Sequence, residues 1–527
     1  MNLKRFLPRR TFLAAMMAPV VIPRQASLNE FDFIVIGAGS SGCVLANRLT
    51  ANPLNRVLLI EAGGPEANPL ILAPGKWTSL LGSAIDWNYA TEPEPGLEGR
   101  AIKWPRGKSH GGSSSLNAMA YVRGHRLCYQ AWARAAGDDW SYDRLLPYFR
   151  RVEDNSRGAS DYHGQGGPLA VTDTTDPHAG HLAFLEAARE RGFTARPDFD
   201  FDGARQEQGA GFYQKNIRGG RRHSAAAAFL VPALARPNLT VWSNTQALRI
   251  TLQGVRATGV EVLRAGARVH ARATREVIVS AGAIESPKLL MVSGIGPGDA
   301  LRAQRIPVVL DLPGVGGNLQ DHLRVSVRWQ AKQPLAPSTV SAGLFTYSAR
   351  AAAARATAPP DIQFYVGRGL DVPDPFVTLT VAMSQPASRG RLTLRSDDPL
   401  APPLIRANYL SEPSDLDAMV EAVRLAQALA TSSAYDAVRG AAVDPPEASR
   451  SDADIRAFIR RSADTIFHPV GTCAMGTGRD AVVDPQLRVH GITGLRVADA
   501  SIFPVNLNSQ IHAACVAIGE KCSDLVR

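Results

Sequence analysis

The feature that most constrains this chain is a glycine-rich turn that joins a short apolar run to a helical pattern. Residues 31–36 are mostly apolar and partly β-branched, and Gly37, Gly39 and Gly42 follow at G-x-G-x-x-G spacing. Residues 43–49 then carry apolar side chains at helical spacing. The pattern predicts a strand, a tight turn and a helix. Gly37 permits the turn, Gly39 lets a pyrophosphate approach the backbone, and Gly42 lets the helix pack closely on the strand.

A second apolar run extends this unit into a strand–helix–strand pattern. Residues 56–60 form the run, and Glu61 follows it directly. An acid at the end of the second strand is placed to accept hydrogen bonds from ribose hydroxyls, and the helix N-terminus attracts phosphate. We therefore predict a Rossmann-like unit that binds a dinucleotide. The motif alone does not distinguish FAD from NAD.

Composition excludes several other classes of protein. The chain has 527 residues, with 45% hydrophobic and 20% charged residues, as is usual for a globular enzyme. The net charge is +10, but no run of Lys and Arg is present, so we predict no nucleic-acid partner. The five cysteines include no CxxC pair, which argues against a disulfide framework. We predict no metal site.

The first segment, 1–26, carries five basic and no acidic side chains, which is half of the net charge. Arg9 and Arg10 are adjacent and precede a mild apolar run that ends at Ile22. This arrangement is typical of a twin-arginine export signal, and the run is shorter than the roughly 20 residues that span a bilayer. We predict export to the periplasm. Because 24–26 is a poor cleavage site, a cytoplasmic enzyme with a basic tail is the alternative. We predict no transmembrane segment.

Periodicity predicts further elements along the chain. Helical patterns occupy 182–191, 224–235 and 284–292, and strand patterns occupy 246–252, 258–264, 268–279, 325–330, 362–366, 376–384, 390–395 and 495–499. Residues 350–360 are Ala-rich and end in two prolines, which is typical of a connector or a mobile loop. Residues 414–432 predict an amphipathic helix, with Ser414 and Asp417 as a capping box. A closing helix is predicted to end near Leu525.

Several short stretches beyond the glycine turn carry residues suited to chemistry. They are PRGKSHGGSSSLN at 105–117, GAIESPKLLMVSGIG at 282–296, FHPVGTC at 467–473 and DASIFP at 499–504, with Gln510 and His512 soon after. Together with the glycine turn, and in this order, they resemble the glucose–methanol–choline (GMC) oxidoreductases, a family of FAD enzymes. The segment PGVGGNLQDH at 313–322 is similar to a connector of that family. The resemblance covers nearly the whole chain from about residue 30.

The resemblance implies FAD rather than NAD, and an α/β fold of two interleaved domains. The expected Rossmann-like FAD-binding domain is discontinuous and comprises 28–100, 212–315 and 462–527. The expected second domain, an α+β substrate domain on an antiparallel sheet, comprises 101–211 and 316–461. It would cover the isoalloxazine ring and hold the substrate.

The resemblance also assigns site residues one by one. His468 matches the histidine that faces flavin N5 and is the main acid–base residue of the family. The expected FAD contacts are Gly37, Gly39, Ser41, Gly42, Glu61, Gly112, Ser113, Asn117, Ala247, Asp499 and Ala500. These residues belong to the glycine turn, the second strand, the small-residue loop, the strand near 247 and the C-terminal segment.

Two positions depart from the family pattern. Some members attach FAD covalently through a histidine in the small-residue loop, and Leu116 stands at that position, so we expect non-covalent FAD. The second member of the catalytic pair is usually His or Asn, and Gln510 aligns there. Gln can donate a hydrogen bond to a substrate oxygen but cannot act as a base. His512, two residues later, is the rival candidate.

The resemblance implies oxidation of a small-molecule primary or secondary alcohol. His468 takes the hydroxyl proton, hydride moves to flavin N5, and a carbonyl product leaves. We expect the electrons to pass to a quinone or cytochrome, and an oxidase that uses dioxygen is the alternative. The family also contains lyases and a decarboxylase that do not oxidise alcohols. Because Gln510 replaces the usual His or Asn, such an activity is an alternative for this chain.

Overall fold

We describe the protein from a computed structural model, which describes residues 29–367, 369–447 and 451–526. The predicted export signal, 1–26, lies outside the described residues. Two β-sheets form the framework. One hydrophobic core includes buried side chains of both sheets, such as Ile34 in the first and Leu379 in the second.

The first sheet combines a parallel part with an antiparallel extension. Its order is Leu239–Trp242, Val57–Ile60, Glu30–Ile36, Ala267–Val279, Arg256–Arg264 and Thr245–Gln253, and Leu495–Val497 pairs with Ala267–Val279. The first four strands and Leu495–Val497 pair in parallel, whereas the last three strands of the order form an antiparallel meander. Val57–Ile60 is buried at every residue, as expected for a central parallel strand that is covered on both faces.

The glycine turn joins this sheet to the helix Ser40–Leu49. Gly37 has φ +102°, a backbone conformation that favours glycine. A Cβ atom at Gly42 would lie 1.8 Å from the carbonyl oxygen of Gly37, so only glycine lets the helix approach the turn this closely. The turn thus brings the helix N-terminus to the edge where the parallel strands end.

The second sheet is mainly antiparallel and is built largely from the middle of the chain. Its order is Arg439–Asp444, Leu323–Leu335, Asp374–Met383, Ile362–Val366, Ala342–Thr346, Gly209–Phe212 and Thr194–Ala195, and Asp464–Thr465 pairs with Leu323–Leu335. Along Leu323–Leu335 the odd-numbered residues from 323 to 331 are buried and the even-numbered ones are more exposed. This period of two gives the strand one core face and one open face.

Helices cover both sheets. The α-helices of the described residues are Ser40–Leu49, Arg126–Ala136, Tyr142–Val152, Ala179–Glu190, Val231–Ala233, Gly282–Val292, Gly298–Ala303, Ala349–Ala353, Pro413–Ala430, Asp452–Ser462 and His512–Leu525. Short two-stranded pairs join Tyr89–Ala90 with Lys103–Trp104, Glu153–Asn155 with Leu169–Val171, Ile217–Arg218 with Arg221–Arg222, Ile295–Gly296 with Leu310–Asp311, and Arg391–Thr393 with Leu404–Arg406. No helix among the described residues is long and apolar enough to cross a bilayer.

The predicted α/β fold class is confirmed: a Rossmann-like parallel sheet is joined to a second, antiparallel sheet. The predicted capping box is wrong. The helix Pro413–Ala430 has Glu412 at its N-cap and no side-chain cap. Pro413, whose φ is preset for the first helical position, starts the helix one residue before Ser414. Ser414 instead accepts a hydrogen bond from Arg350 at 2.9 Å, and Asp417 accepts one from Arg456.

Two other segments differ from their predicted secondary structure in detail. The Ala-rich segment at 350–360 was expected as a connector, and it begins with the short helix Ala349–Ala353, whose N-cap is the Ser348 side chain. The pattern at 224–235 forms a π-helix, Ala226–Leu230, that continues into Val231–Ala233. A π-turn is common near functional sites and leaves no periodic signature in so short a segment.

Candidate active site

A cavity of about 860 Å³ lies between the two sheets. The first sheet contributes residues at the ends of its parallel strands, including Ile36 and Ile60, and the second sheet contributes its open face, including Ser326 and Thr378. The candidate residues that line the cavity are Gly37, Gly39, Ser41, Glu61, Gly112, Ser113, Asn117, Ala247, His468, Asp499, Ala500, Gln510 and His512. The fold therefore brings nearly all of the sequence-predicted residues to one place. Gly42 does not line the cavity, because it packs against Gly37.

Gly39 leaves room for a ligand beside the backbone. A Cβ atom there would have Ser280 as its nearest neighbour, with the carbonyl oxygen 3.9 Å away, so protein packing does not require glycine at this position. Gly112 faces it from the small-residue loop, where a Cβ atom would lie 2.8 Å from the Cα of Gly39. Two glycines and the N-terminus of the helix Ser40–Leu49 thus form a wall without side chains, which suits a bound phosphate.

Glu61 has a structural partner on each carboxylate oxygen. Oε2 accepts a hydrogen bond from the Ala38 amide at 2.8 Å, and Oε1 accepts one from the Gly63 amide at 2.9 Å. Burial raises the pKa of Glu61 to about 7, although these amides favour its ionised form. The carboxylate therefore links the glycine turn to the end of the second strand and also faces the cavity.

The small-residue loop is a 3₁₀ turn at Gly112–Ser115 and is fixed by polar contacts around Asn117. Asn117 Oδ1 accepts hydrogen bonds from Arg222 at 2.7 Å and from the Met119 amide at 3.1 Å. Ser113 Oγ accepts one from the Gly107 amide at 3.2 Å. Leu116 is buried and lines the cavity. It occupies the position at which some GMC oxidoreductases carry the histidine that binds FAD covalently.

Asp499 fixes the start of the helix Gly282–Val292. Its Oδ2 accepts hydrogen bonds from the Gly282 amide at 2.8 Å and from Ser286 Oγ at 2.6 Å. Its Oδ1 accepts one from the Ser501 amide at 2.7 Å. Burial raises the pKa of this carboxyl group. The motifs at 282–296 and 499–504 are therefore one structural unit, with Ala500 and Asp499 on the cavity wall.

His468 lies on the cavity wall, and Asp321 holds its backbone. Asp321 Oδ1 accepts a hydrogen bond from the His468 amide at 2.8 Å, and its Oδ2 accepts bonds from Thr465 and Tyr409. Burial lowers the pKa of His468 well below its usual value of 6.5, and the neighbouring His322, when protonated, and the positive charge of Arg106 lower it further. The imidazole is therefore neutral at pH 7 and able to accept a proton.

The Nδ1 atom of His468 has a second histidine as its partner. His322 Nδ1 lies 3.0 Å away, and the two rings meet at 89°. The Nε2 atom of His468 makes no hydrogen bond with the described residues. Burial lowers the pKa of His322 to about 4, so this ring is also neutral at pH 7. The contact leaves His468 Nε2 as the ring nitrogen available to a ligand.

Gln510 and His512 face different parts of the site. Gln510 Nε2 donates a hydrogen bond to Tyr365 Oη at 2.9 Å, on the second sheet. His512 Nδ1 lies 2.8 Å from the Oγ of Ser40, the first residue of the helix after the glycine turn. Burial lowers the pKa of His512 to about 4. The two rival residues therefore contact different parts of the cavity wall. Gln510 contacts the second sheet, and His512 contacts the glycine turn.

The two halves of the chain match the family models for GMC oxidoreductases. The N-terminal model matches residues 31–324 and the C-terminal model matches residues 386–519. The chain belongs to the GMC oxidoreductase family. The family membership that the sequence motifs predicted is therefore confirmed, and the two models match most of the sequence.

Several GMC oxidoreductases are similar over almost their full length. An oxygen-dependent choline dehydrogenase of Rhizobium etli is 41% identical, with 94% of this chain and 95% of the relative aligned. The mitochondrial choline dehydrogenase of Mus musculus is 40% identical, with coverage of 95% and 90%. Among solved structures, pyridoxine 4-oxidase from Mesorbium loti has a TM-score of 0.87 at 35% identity, covering 94% of this chain and 98% of that one.

The residues present fit the FAD of GMC oxidoreductases. Gly39 and Gly112 open the wall beside the helix N-terminus. Two buried polar atoms of cavity-lining side chains, Gln510 Oε1 and His512 Nε2, find no hydrogen-bond partner among the described residues, as expected of groups that meet a ligand. The chain is an FAD-dependent oxidoreductase that acts on CH–OH donors.

Sequence reasoning missed several side chains of the site. His322 lies in the segment 313–322, which was noted only as a connector. Tyr365 and Arg222 carry no local motif, and the fold alone brings them to Gln510 and Asn117. The sequence did offer one indication of His322. Asp321 and His322 are adjacent polar residues at the end of a glycine-rich segment, and such a pair is a candidate for a polar site.

Proposed function

We propose that the chain oxidises primary or secondary alcohols to carbonyls, with His468 as the base that takes the hydroxyl proton. The observation that carries this role is the neutral imidazole of His468 on the cavity wall, held by Asp321 through its backbone and by His322 through Nδ1. Its Nε2 atom accepts the proton of the alcohol as the carbinol C–H bond loses a hydride. The chemistry that bound FAD supplies is acceptance of that hydride at N5.

Gln510 orients the alcohol oxygen in this proposal. Its Nε2 donates to Tyr365, which leaves one amide hydrogen and the unpartnered Oε1 for the substrate. His512, which contacts Ser40 at the glycine turn, belongs to the cofactor end. We therefore assign Gln510, rather than His512, as the second residue that touches the substrate.

FAD is held without a covalent bond in this proposal, since Leu116 offers no nucleophile. The glycine turn, Gly112 and Ser113 would bind the pyrophosphate, and Glu61 and Ala247 lie at the expected ribose end. Asn117, Asp499 and Ala500 would meet the flavin side. The test is release of unmodified FAD by acid precipitation, with the flavin absorbance recovered in the supernatant.

We propose a quinone or a cytochrome as the electron acceptor. The predicted export signal supports this choice, because a periplasmic enzyme would meet these carriers at the membrane surface. Dioxygen is the rival acceptor, and the Rhizobium etli relative is an oxygen-dependent choline dehydrogenase. Peroxide release during turnover of the purified enzyme separates the two. A stoichiometric yield of peroxide would contradict the quinone proposal, whereas rapid reoxidation by an artificial quinone without peroxide would support it.

A lyase or decarboxylase of the same fold is the second candidate, and Gln510 is the observation that favours it. The deciding experiment mixes the enzyme anaerobically with a panel of alcohols and follows the flavin absorbance. Bleaching of the flavin by one or more alcohols supports oxidation. Absence of bleaching by every alcohol, with FAD bound, would contradict the role of the site in alcohol oxidation.

We also propose that residues 1–26 direct export by the twin-arginine route. The supporting observation is the Arg9-Arg10 pair before a short apolar run. Replacement of both residues with Lys should retain the folded, FAD-loaded enzyme in the cytoplasm. An unchanged distribution between periplasm and cytoplasm would overturn this assignment and favour a cytoplasmic enzyme.

A further inference from the structure

The open face of the second sheet forms a polar wall of the cavity. Six side chains from three adjacent strands contribute to it: Arg324, Ser326, Arg328, Thr378, Thr380 and Asp444. The three on strand Leu323–Leu335 occupy alternate positions, and the antiparallel register places Ser326 opposite Thr380 and Arg328 opposite Thr378. The hydroxyl groups of Ser326 and Thr380 lie 2.9 Å apart. We call this set the polar wall.

The two arginines of the polar wall are each paired with a carboxylate. Arg324 binds Asp464 at 2.8 Å and donates to the Thr465 carbonyl oxygen at 2.9 Å. Arg328 binds Asp444 through Nε and Nη2. Its Nη1 donates to no atom of the described residues. The pairs cancel the net charge of the wall but leave hydrogen-bond donors that face the cavity.

Two aromatic rings of the cavity each have one face covered by a cation of the chain itself. Lys108 Nζ lies 4.7 Å from the centre of the Trp87 ring, and the Arg328 guanidinium lies 5.2 Å from the centre of the Phe376 ring. Both rings line the cavity. A quaternary ammonium ligand is bound in proteins by free aromatic faces. Each of these rings therefore has one face that is already occupied by a cation of the chain.

We propose that the polar wall selects alcohols that carry a hydrogen-bond-accepting oxygen away from the reacting hydroxyl over alcohols that carry no such oxygen. This inference rests on the proposed alcohol oxidation and specifies its substrate class. Arg328 Nη1 donates to the distal oxygen, and Thr378, which faces Arg328 in the register, completes the contact. The distal oxygen belongs to a carboxylate or to a neutral ether or hydroxyl group.

The test uses four small alcohols and measures the rate of anaerobic flavin reduction against concentration. The alcohols are choline, its uncharged isostere 3,3-dimethyl-1-butanol, 4-hydroxybutanoate, and diethylene glycol monomethyl ether. We expect a second-order rate constant at least about tenfold higher for one or both oxygen-bearing alcohols than for choline and its isostere, one hydrogen bond being worth about this factor. The better of the last two identifies the distal group as carboxylate or neutral oxygen.

The variant Arg328→Met should reduce that preference by about tenfold or more, because it removes the donor and keeps most of the side-chain volume. Thr378→Val is a second, nearly isosteric variant with the same expected direction. Arg302→Met is the matched control, since Arg302 is exposed and pairs with Asp299, and neither residue lines the cavity. It should leave all four rate constants unchanged.

The outcomes separate this inference from the proposed function. Reduction by choline as fast as by the oxygen-bearing alcohols, or an unchanged preference in both wall variants, would overturn the inference and leave alcohol oxidation standing. Failure of all alcohols, including a broader panel, to reduce the flavin would instead contradict the proposed function. Binding of butanoate, followed by the change that it causes in the flavin spectrum, should weaken in Arg328→Met, and this result would support the carboxylate form independently of turnover.

Discussion

The Nδ1 atoms of His322 and His468 lie 3.0 Å apart, so one ring donates a hydrogen bond to the other. Both rings are neutral at pH 7, because burial lowers the pKa of each. A proton on one Nδ1 excludes a proton on the other. The tautomer of His322 thus determines whether His468 Nε2 carries a lone pair toward the cavity or a hydrogen. His322 is a positioning residue for His468.

Replacement of His322 should reduce alcohol oxidation without loss of FAD. In His322→Leu, nothing fixes the orientation or the tautomer of His468, and we expect kcat/KM to fall about 10- to 100-fold, as is usual when an orienting partner is lost. His322→Asn, whose amide can donate or accept, should recover part of this loss. Stopped-flow flavin reduction and FAD content measure both effects. A merely structural role would instead lower FAD content and thermal stability equally in both variants.

The pH dependence should show a base that stays neutral in mildly acidic solution. The pKa of His468 is lowered well below 6.5, so the imidazole takes up a proton only below that pH. We expect kcat/KM to stay level as the pH falls from 8 to 6.5 and to decline at lower pH. Flavin reduction in a series of buffers tests this. A decline centred above pH 6.5, with the enzyme still folded, would contradict the assignment.

Two glycines of the turn should respond differently to substitution. A Cβ atom at Gly39 meets no protein atom within 3.9 Å, whereas one at Gly42 would lie 1.8 Å from the Gly37 carbonyl oxygen. We expect Gly39→Val to fold and to bind FAD weakly, and Gly42→Val to fail to fold. Flavin content and circular dichroism distinguish the two losses. Full FAD occupancy in Gly39→Val would contradict the assignment of this turn to the cofactor.

Gln510 and His512 should affect different steps. Gln510→Leu removes the contact with Tyr365 and the amide that faces the substrate, so flavin reduction should slow while FAD content stays normal. His512→Leu removes the contact with Ser40 at the glycine turn, so FAD should dissociate more readily. Ser40→Ala is the matched control for His512 and should show a weaker form of the same defect. The reverse pattern would make His512 the substrate-facing residue.

The glycine turn and the strands around it could be predicted from the sequence because their signal is local. Residues 31–36 and 56–60 lie within one residue of the observed strands Glu30–Ile36 and Val57–Ile60. The helices Arg126–Ala136 and Tyr142–Val152 were not predicted. Their buried side chains do recur at helical spacing, as Cys128, Trp132 and Ala136 show, so the sequence carried a local signal that the prediction overlooked.

The residues of the candidate site also fall into two groups, those with a local sequence motif and those without one. His468 and Asp499 could be found because short motifs surround them. The contacts that give them their chemistry could not be found. His322 meets His468 across 146 residues, and Asp499 meets Ser286 across 213 residues. Sequence spacing carries no information on such pairs. The polar wall was missed because its residues lie on three strands that become neighbours only in the folded sheet.

The most direct test of the account is anaerobic flavin bleaching by an alcohol substrate in His468→Ala. FAD should remain bound, because the cofactor contacts proposed at the glycine turn are untouched. Loss of the base should slow bleaching by about 10²- to 10⁴-fold, the range of general-base catalysis. His468→Asn keeps a polar side chain of similar shape and should be nearly as slow. Bleaching at the rate of the unaltered enzyme in His468→Ala would contradict the central claim.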